Sequence, residues 1–338
     1  MSRETYRKII TSPENWEKVN KENIKLMNMF LKEKNTRASD TTINSYHSDL
    51  SIFFTWNLLE NNNKFFIDIK KMEFAEFFSY CVTELKWGSA KFSRTKSCLS
   101  SLGIFIERLL DDQYPTFRNI INKSIESLPK VESREKTILT DEQILKLTNY
   151  LKEKEKTQEL CWLYLALASG ARFSELLRFT TDLIDENNTA FNGLFLETLK
   201  TVKSKGRGKL GHLITKFIVK DLFLPYYKPW IIEREKVMKE NNQEHNSLFI
   251  RDDGSPAHSG TIRSWLKKYE KVLGVPFYPH CARHRLVTYL SKIGLSSELI
   301  TSLVGWKSES MYKIYNDLTS KDKNWKELDK LEEHLKNN

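Results

Sequence analysis

Ser169-Gly170-Ala171-Arg172-Phe173-Ser174-Glu175-Leu176-Leu177 and Pro279-His280-Cys281-Ala282-Arg283-His284 are the two stretches that decide how this 338-residue chain is read. Each carries an arginine. Downstream come Gly305-Trp306 and then Tyr315. A guanidinium offers paired N–H donors that match the oxygens of a phosphate. A fold that gathers Arg172, Arg283, His280, Trp306 and Tyr315 would therefore hold a phosphodiester beside a phenol.

Composition agrees with a phosphate-rich partner. Lys and Arg number 54 against 44 Asp and Glu, a formal charge of +10, and such a surplus attracts polyanions and releases their counterions. The length predicts two domains, each with its own core. The four cysteines, Cys81, Cys98, Cys161 and Cys281, are far apart in apolar surroundings and form no CxxC pair, so they read as reduced core residues, with no metal site. The first residues, Met1-Ser2-Arg3-Glu4-Thr5-Tyr6-Arg7-Lys8, lack the apolar segment of a secretory signal, and no long apolar run predicts a membrane span. A cytoplasmic, DNA-associated protein is expected.

The first third reads as a helical bundle. Residues 16–34 carry Ile24, Met27, Phe30 and Leu31 on one stripe, and 42–57 carry Ile43, Tyr46, Leu50, Phe53 and Phe54, with Ser39 or Asp40 as cap. Further helices are predicted at 72–85 and 89–110. In the last of these, Lys91, Arg94 and Lys96 precede an apolar face of Leu99, Leu102, Phe105 and Ile106, so the basic end is either a DNA-facing surface or a solvated helix face. Pro129-Lys130-Val131-Glu132-Ser133-Arg134-Glu135-Lys136 is polar and opens with proline. It places a linker at 129–138 between an N-terminal domain at 1–128 and a second at 139–338.

The second domain opens with a capping box, Thr140 to Gln143, followed by an apolar face of Ile144, Leu145 and Leu147. A buried helix over 162–168 delivers Arg172 just beyond its end. Residues 193–215 read as a β-hairpin around the basic tip Lys203-Ser204-Lys205-Gly206-Arg207-Gly208-Lys209. Helices follow near 231–241, at 261–273 with Ser259 as a cap, at 282–293 and at 297–304.

Read together, these motifs resemble the tyrosine recombinases. The stretch 169–177 is similar to the family's first arginine box, T-G-x-R-x-x-E-L, and 280–284 to the second, H-x-L-R-H, with Ala282 in the usual leucine place. Gly294, Leu303-Val304-Gly305-Trp306 and Tyr315 follow the family's order of G, L-G-H/W and Y. Single fragments of this kind arise by chance; the ordered set does not. The resemblance extends loosely to Thr42-Ile43-Asn44-Ser45-Tyr46 and to Ser93-Arg94-Thr95-Lys96.

The resemblance implies a mainly α fold with a small β-hairpin or sheet, in which a helical core-binding domain and a catalytic domain form a C-shaped clamp around DNA. It implies a site-specific recombinase in which Tyr315 makes a 3′-phosphotyrosine and Arg172, His280, Arg283 and Trp306 serve the phosphate. Tyr312 is the competing phenol. Lys205, in Ser204-Lys205-Gly206, corresponds to the family's hairpin lysine that protonates the leaving oxygen, with Lys200, Lys203 and Lys209 as alternatives. Lys203 and Arg207 are further DNA-contact candidates, and Glu175 is expected to orient a neighbouring base. No cofactor and no metal are implied. The partners implied are a double-stranded recombination site and three further copies of the chain, in a homotetramer joined through a C-terminal helix bearing Trp325, Leu328, Leu331 and Leu335. Whether that helix docks in its own subunit or a neighbour stays open. The roles implied are integration or excision of a mobile element, or resolution of plasmid or chromosome dimers. A non-catalytic DNA-binding protein, a type IB topoisomerase and a telomere resolvase are the alternatives.

Overall fold

The computed structural model describes residues 9–129, 137–204 and 211–315, with the side chains of 313–315 outside that description. The chain divides into two compact units near residue 135.

The N-terminal unit is a helical bundle of α1 (Pro13–Lys18), α2 (Lys21–Asn35), α3 (Asp40–Glu60), α4 (Lys71–Thr83), α5 (Ser89–Leu109) and the short α6 (Ile121–Ser124). The continuous helix expected at 16–34 is in fact two. Val19 takes an extended backbone and is buried, and the Asn20 side chain caps the new helix by accepting from the Glu22 amide. A local side-chain cap here outcompetes helical continuation. The other three predicted helices match α3, α4 and α5 to within a few residues.

The core of this unit is aromatic. Phe53 is fully buried and stacks on Phe74 with centroids 5.6 Å apart, while meeting Phe77 edge-on at 4.9 Å. Aromatic pairs add to the simple area term. Phe53→Ala is therefore expected to destabilise the protein by about 3–5 kcal/mol, read as a shift in the urea midpoint at unchanged slope.

The C-terminal unit contains α7 (Asp141–Glu153), α8 (Thr157–Ser169), α9 (Phe173–Leu176), β1 (Thr189–Ala190), β2 (Phe195–Glu197), β3 (Val202–Ser204), β4 (His212–Ile214), β5 (Phe217–Val219), α10 (Lys220–Glu240), α11 (Ser259–Leu273), α12 (Pro279–Lys292), α13 (Ser297–Val304) and α14 (Ser310–Tyr315). Its centre is α8, apolar on every side from Leu160 to Ala168 and buried from Glu159 to Ser169. A helix hydrophobic on every side must be surrounded, and α7, α10, α12 and β5 pack around it.

Four details differ from the sequence reading. The hairpin expected over 193–215 is divided: β3 pairs with β4, whereas β2 pairs with β1 and β5 in a separate three-stranded antiparallel sheet. Helix α10 starts at Lys220 and runs through Pro225 and Pro229, residues that on local grounds end helices. Burial of Phe223, Leu224 and Trp230, and stacking of Tyr226 on Tyr164 at 3.7 Å, hold it together. His258 caps α11 by accepting the Thr261 amide, so Ser259 is the first helical residue. Helices α6, α9 and α14 are too short for periodicity to reveal.

All four cysteines are buried thiols with no disulfide. No described helix is long and apolar enough to cross a membrane.

Candidate active site

The site is built where α8 ends. Gly170 closes that helix in the left-handed conformation at φ 54°, and a side chain there would meet Leu286 Cδ2 at 3.0 Å. Glycine is needed both for the turn and for the close approach of α12. The chain then reverses into α9, with Arg172 extended at its start and Glu175 one turn in. The Glu175 carboxylate accepts the Arg172 amide at 2.8 Å and Arg172 Nη1 at 2.8 Å.

Glu175 is the hub. It is fully buried, and three other segments converge on it. Ser204, at the end of β3, donates to Oε1 at 2.5 Å while accepting from Arg172 Nη1 at 2.8 Å. Arg283 of α12, 108 residues away in sequence, places Nη2 3.4 Å from Oε2. Lys216, between β4 and β5, places Nζ 3.7 Å from Oε2. Burial alone would raise the carboxyl, but Lys216, Arg283, the Ser204 hydroxyl and the Arg172 amide hold it at about 2. At neutral pH it is an anion among cations.

Arg172 and Arg283 thus share one carboxylate. Arg172 reaches the surface, with about a fifth of its side chain exposed, and Arg283 is fully enclosed. The Arg283 guanidinium carbon lies 5.9 Å from the centre of the Trp306 ring. Trp306 is set by the end of α13, where Gly305 turns at φ 77° and the Trp306 amide donates to Thr301 O at 2.9 Å. Its ring packs with Leu286, Val287, Leu290, Ile300, Leu303 and Val304.

His280 sits in the first turn of α12, directly after Pro279. One face is exposed. Desolvation of the rest of the ring, then the positive charges of Arg283, His284 and Arg172, lower its pKa. The positive end of a helix acts in the same sense, and both favour the neutral imidazole, the form that can accept a proton.

Tyr315 is the last residue of α14, which packs against α12 and α13; its side chain lies outside the described part. Tyr312, one turn earlier, is described and packs against the cluster around Trp306. Lys205, Arg207 and Lys209 lie outside the described residues, as do Trp325, Leu328, Leu331 and Leu335. Lys200 is paired with Asp182 at 2.7 Å, and Lys203 is an exposed β3 residue opposite Leu213.

The basic cluster of α5 is more internally bonded than its sequence implies. Lys91 and Arg94 both bind Asp49, a fully buried carboxylate on α3; Arg94 is bidentate, at 2.9 and 3.0 Å. Lys96 donates to the Ile125 carbonyl. These bonds fix where the cations stand.

Sequence reasoning missed Lys216 and Ser204. The signal for Lys216 was present: it is a lone cation between Ile214 and Phe217-Ile218-Val219, a place where an exposed-face lysine and a buried one look alike.

Two arginines from distant segments share one carboxylate, with an imidazole and an indole beside them, and guanidiniums carry the paired N–H donors that phosphate oxygens accept. The phage integrase family matches residues 137–322, more than half of the chain, and the chain belongs to that family, the tyrosine recombinases. Its members are DNA-breaking and DNA-rejoining enzymes. The chain is 26% identical to the SPbeta prophage-derived recombinase-like protein YomM of Bacillus subtilis (strain 168), over 86% of this chain and 85% of that one. It is 26% identical to tyrosine recombinase XerS of Streptococcus uberis over 71% of this chain and 70% of that one. Among solved structures, the fold is similar to XerH bound to a palindromic difH substrate, with TM-score 0.66, 17% identity, and 92% and 85% of the two chains covered. It is also similar to a lambda integrase tetramer bound to a Holliday junction, with TM-score 0.61, 17% identity, and 87% and 76% covered.

Proposed function

We propose that this recombinase cuts and rejoins a specific double-stranded DNA site through Tyr315, in a homotetramer that holds two sites and passes through a Holliday junction. The observation that carries the reading is the sharing of Glu175 by Arg172 and Arg283, which brings the two arginine boxes into one cluster. In the reaction the Tyr315 phenolic oxygen attacks phosphorus, the bond to the 5′-oxygen breaks, and a 3′-phosphotyrosine forms. His280 receives or relays the phenolic proton, and Lys205 returns a proton to the leaving oxygen. Arg172 and Arg283 stabilise the charge that builds on the nonbridging oxygens. Lys203, Arg207, and the Asp49-anchored Lys91 and Arg94 with Lys96 contact the DNA backbone. The settings that fit are integration or excision of a mobile element and resolution of replicon dimers.

A nicked suicide substrate that loses its 5′-fragment should trap wild-type protein covalently on DNA, and the yield should be unchanged in EDTA. Loss of cleavage on chelation with DNA binding intact would overturn the phosphotyrosine reading. Exchanged junctions are the expected products; relaxed circles or sealed hairpin ends would reassign the enzyme to a topoisomerase or telomere resolvase.

A further inference from the structure

Lys216 is a fully buried lysine in the middle of an active-site cluster, and none of the chemistry above uses it. Its ammonium donates to the Val304 carbonyl at 3.0 Å and lies 3.7 Å from Glu175 Oε2. Val304 is the last residue of α13, and its carbonyl is among those a helix leaves unsatisfied at its C-terminal end. A cation there also meets the negative end of the helix dipole. One side chain thus joins the carboxylate that holds both arginines to the turn that sets Trp306.

The backbone around Lys216 is itself fixed. Its amide donates to Thr198 Oγ1 at 3.0 Å, and its carbonyl accepts the Thr198 amide at 3.0 Å. Two residues earlier, Ile214 fills the space beside Gly305, where an added side chain would come within 2.9 Å of Ile214 Cδ1. The β4–β5 segment therefore touches the Gly305-Trp306 turn at two independent points.

Packing alone does not account for a lysine here. Moving an ammonium out of water is costly, and a buried ion pair is often no more stable than well-packed apolar residues in place of both partners. Lys216 moreover adds a third positive charge to a cluster that already holds Arg172 and Arg283. Burial pushes its ammonium down to about 7 against the opposing pull of Glu175, and Arg283 and Arg172 push in the same direction as burial.

We infer that Lys216 is a positioning residue for strand cleavage: by bridging Glu175 and the Val304 carbonyl, it holds the arginine pair and Trp306 in register with one another. It does not touch the DNA. The inference rests on the recombinase reading above, and a small misplacement of a reacting constellation costs about a hundredfold in rate.

The test is Lys216→Met, which keeps the length of the side chain and removes the charge. Three quantities are measured on the full chain: the urea unfolding midpoint, DNA affinity by fluorescence anisotropy, and the single-turnover rate of covalent complex formation at saturating suicide substrate. The expected result is a folded protein with DNA affinity within about threefold of wild type and cleavage slowed by about ten- to a hundredfold. A purely structural lysine would move the unfolding midpoint and leave the rate of the folded fraction unchanged. Cleavage within about threefold of wild type in the folded variant overturns the inference. Should the Met variant not fold, Lys216→Leu, which likewise removes the charge and the bond to the Val304 carbonyl, is judged by the same two thresholds. Wild-type protein run in parallel separates the two readings: if it forms no covalent complex, the recombinase mechanism fails, whereas trapping by wild type with undiminished trapping by the variant fails Lys216 alone.

Discussion

Tyr315→Phe is expected to abolish the covalent protein–DNA complex, by at least about a thousandfold, with DNA affinity unchanged within about threefold. Removing one oxygen deletes the proposed nucleophile and keeps the ring. Tyr312→Phe is the informative control, because both tyrosines belong to α14, one turn apart, and the Tyr312 ring packs against the Trp306 cluster. That variant should still form covalent complex on the suicide substrate. Trapping that survived Tyr315→Phe and vanished in Tyr312→Phe would move the nucleophile to Tyr312.

Glu175→Gln should be among the most destabilising isosteric changes in the chain, at about 3–5 kcal/mol, because it strands buried cations that now share one anion. Lys216 and Arg283 are fully buried, and each loses its counter-charge at once. The pH dependence has a definite sign. Glu175 has a folded pKa of about 2, below its unfolded value, so its contribution is complete above the usual carboxyl range and lost as pH falls toward 2. Lys216 has a folded pKa of about 7, below its unfolded value, so it loses its proton, and with it part of its need for Glu175, as pH rises through 7. The cost of the substitution is therefore largest between about pH 5 and 7 and smaller near pH 9. Urea unfolding of both proteins at about pH 6 and about pH 9 measures it; an equal cost at both pH values would show that Lys216 is not the partner that matters.

The legible parts of this protein were those encoded by neighbours in the chain. Helix α7 is announced by Thr140 and Gln143, which form the expected reciprocal cap. Helices α3, α5 and α13 have apolar stripes of sufficient length, and α8 is apolar from Leu160 to Ala168. The arginine boxes were legible because each combines a turn requirement, as at Gly170, with a chemical group at short spacing. Elements of four to six residues were not legible, nor was the first half of α10, where tertiary burial overrode two prolines.

The basic residues of α5 mark the boundary between the two kinds of knowledge. Charge and spacing made Lys91, Arg94 and Lys96 look like a free cationic surface, yet the first two are tied to Asp49, more than forty residues earlier. Nothing local distinguishes Asp49 from a solvated aspartate.

By itself, then, the sequence determined the family, the order of its motifs, and most of the helices that carry them, because helical periodicity, caps and motif spacing act over a few residues. Only the tertiary structure decided that Glu175 is the common anchor of Arg172, Arg283, Ser204 and Lys216, and that Lys216 is buried at all. The physical reason is that a charge can leave water only when partners from distant segments meet it, and that meeting is a property of the folded chain.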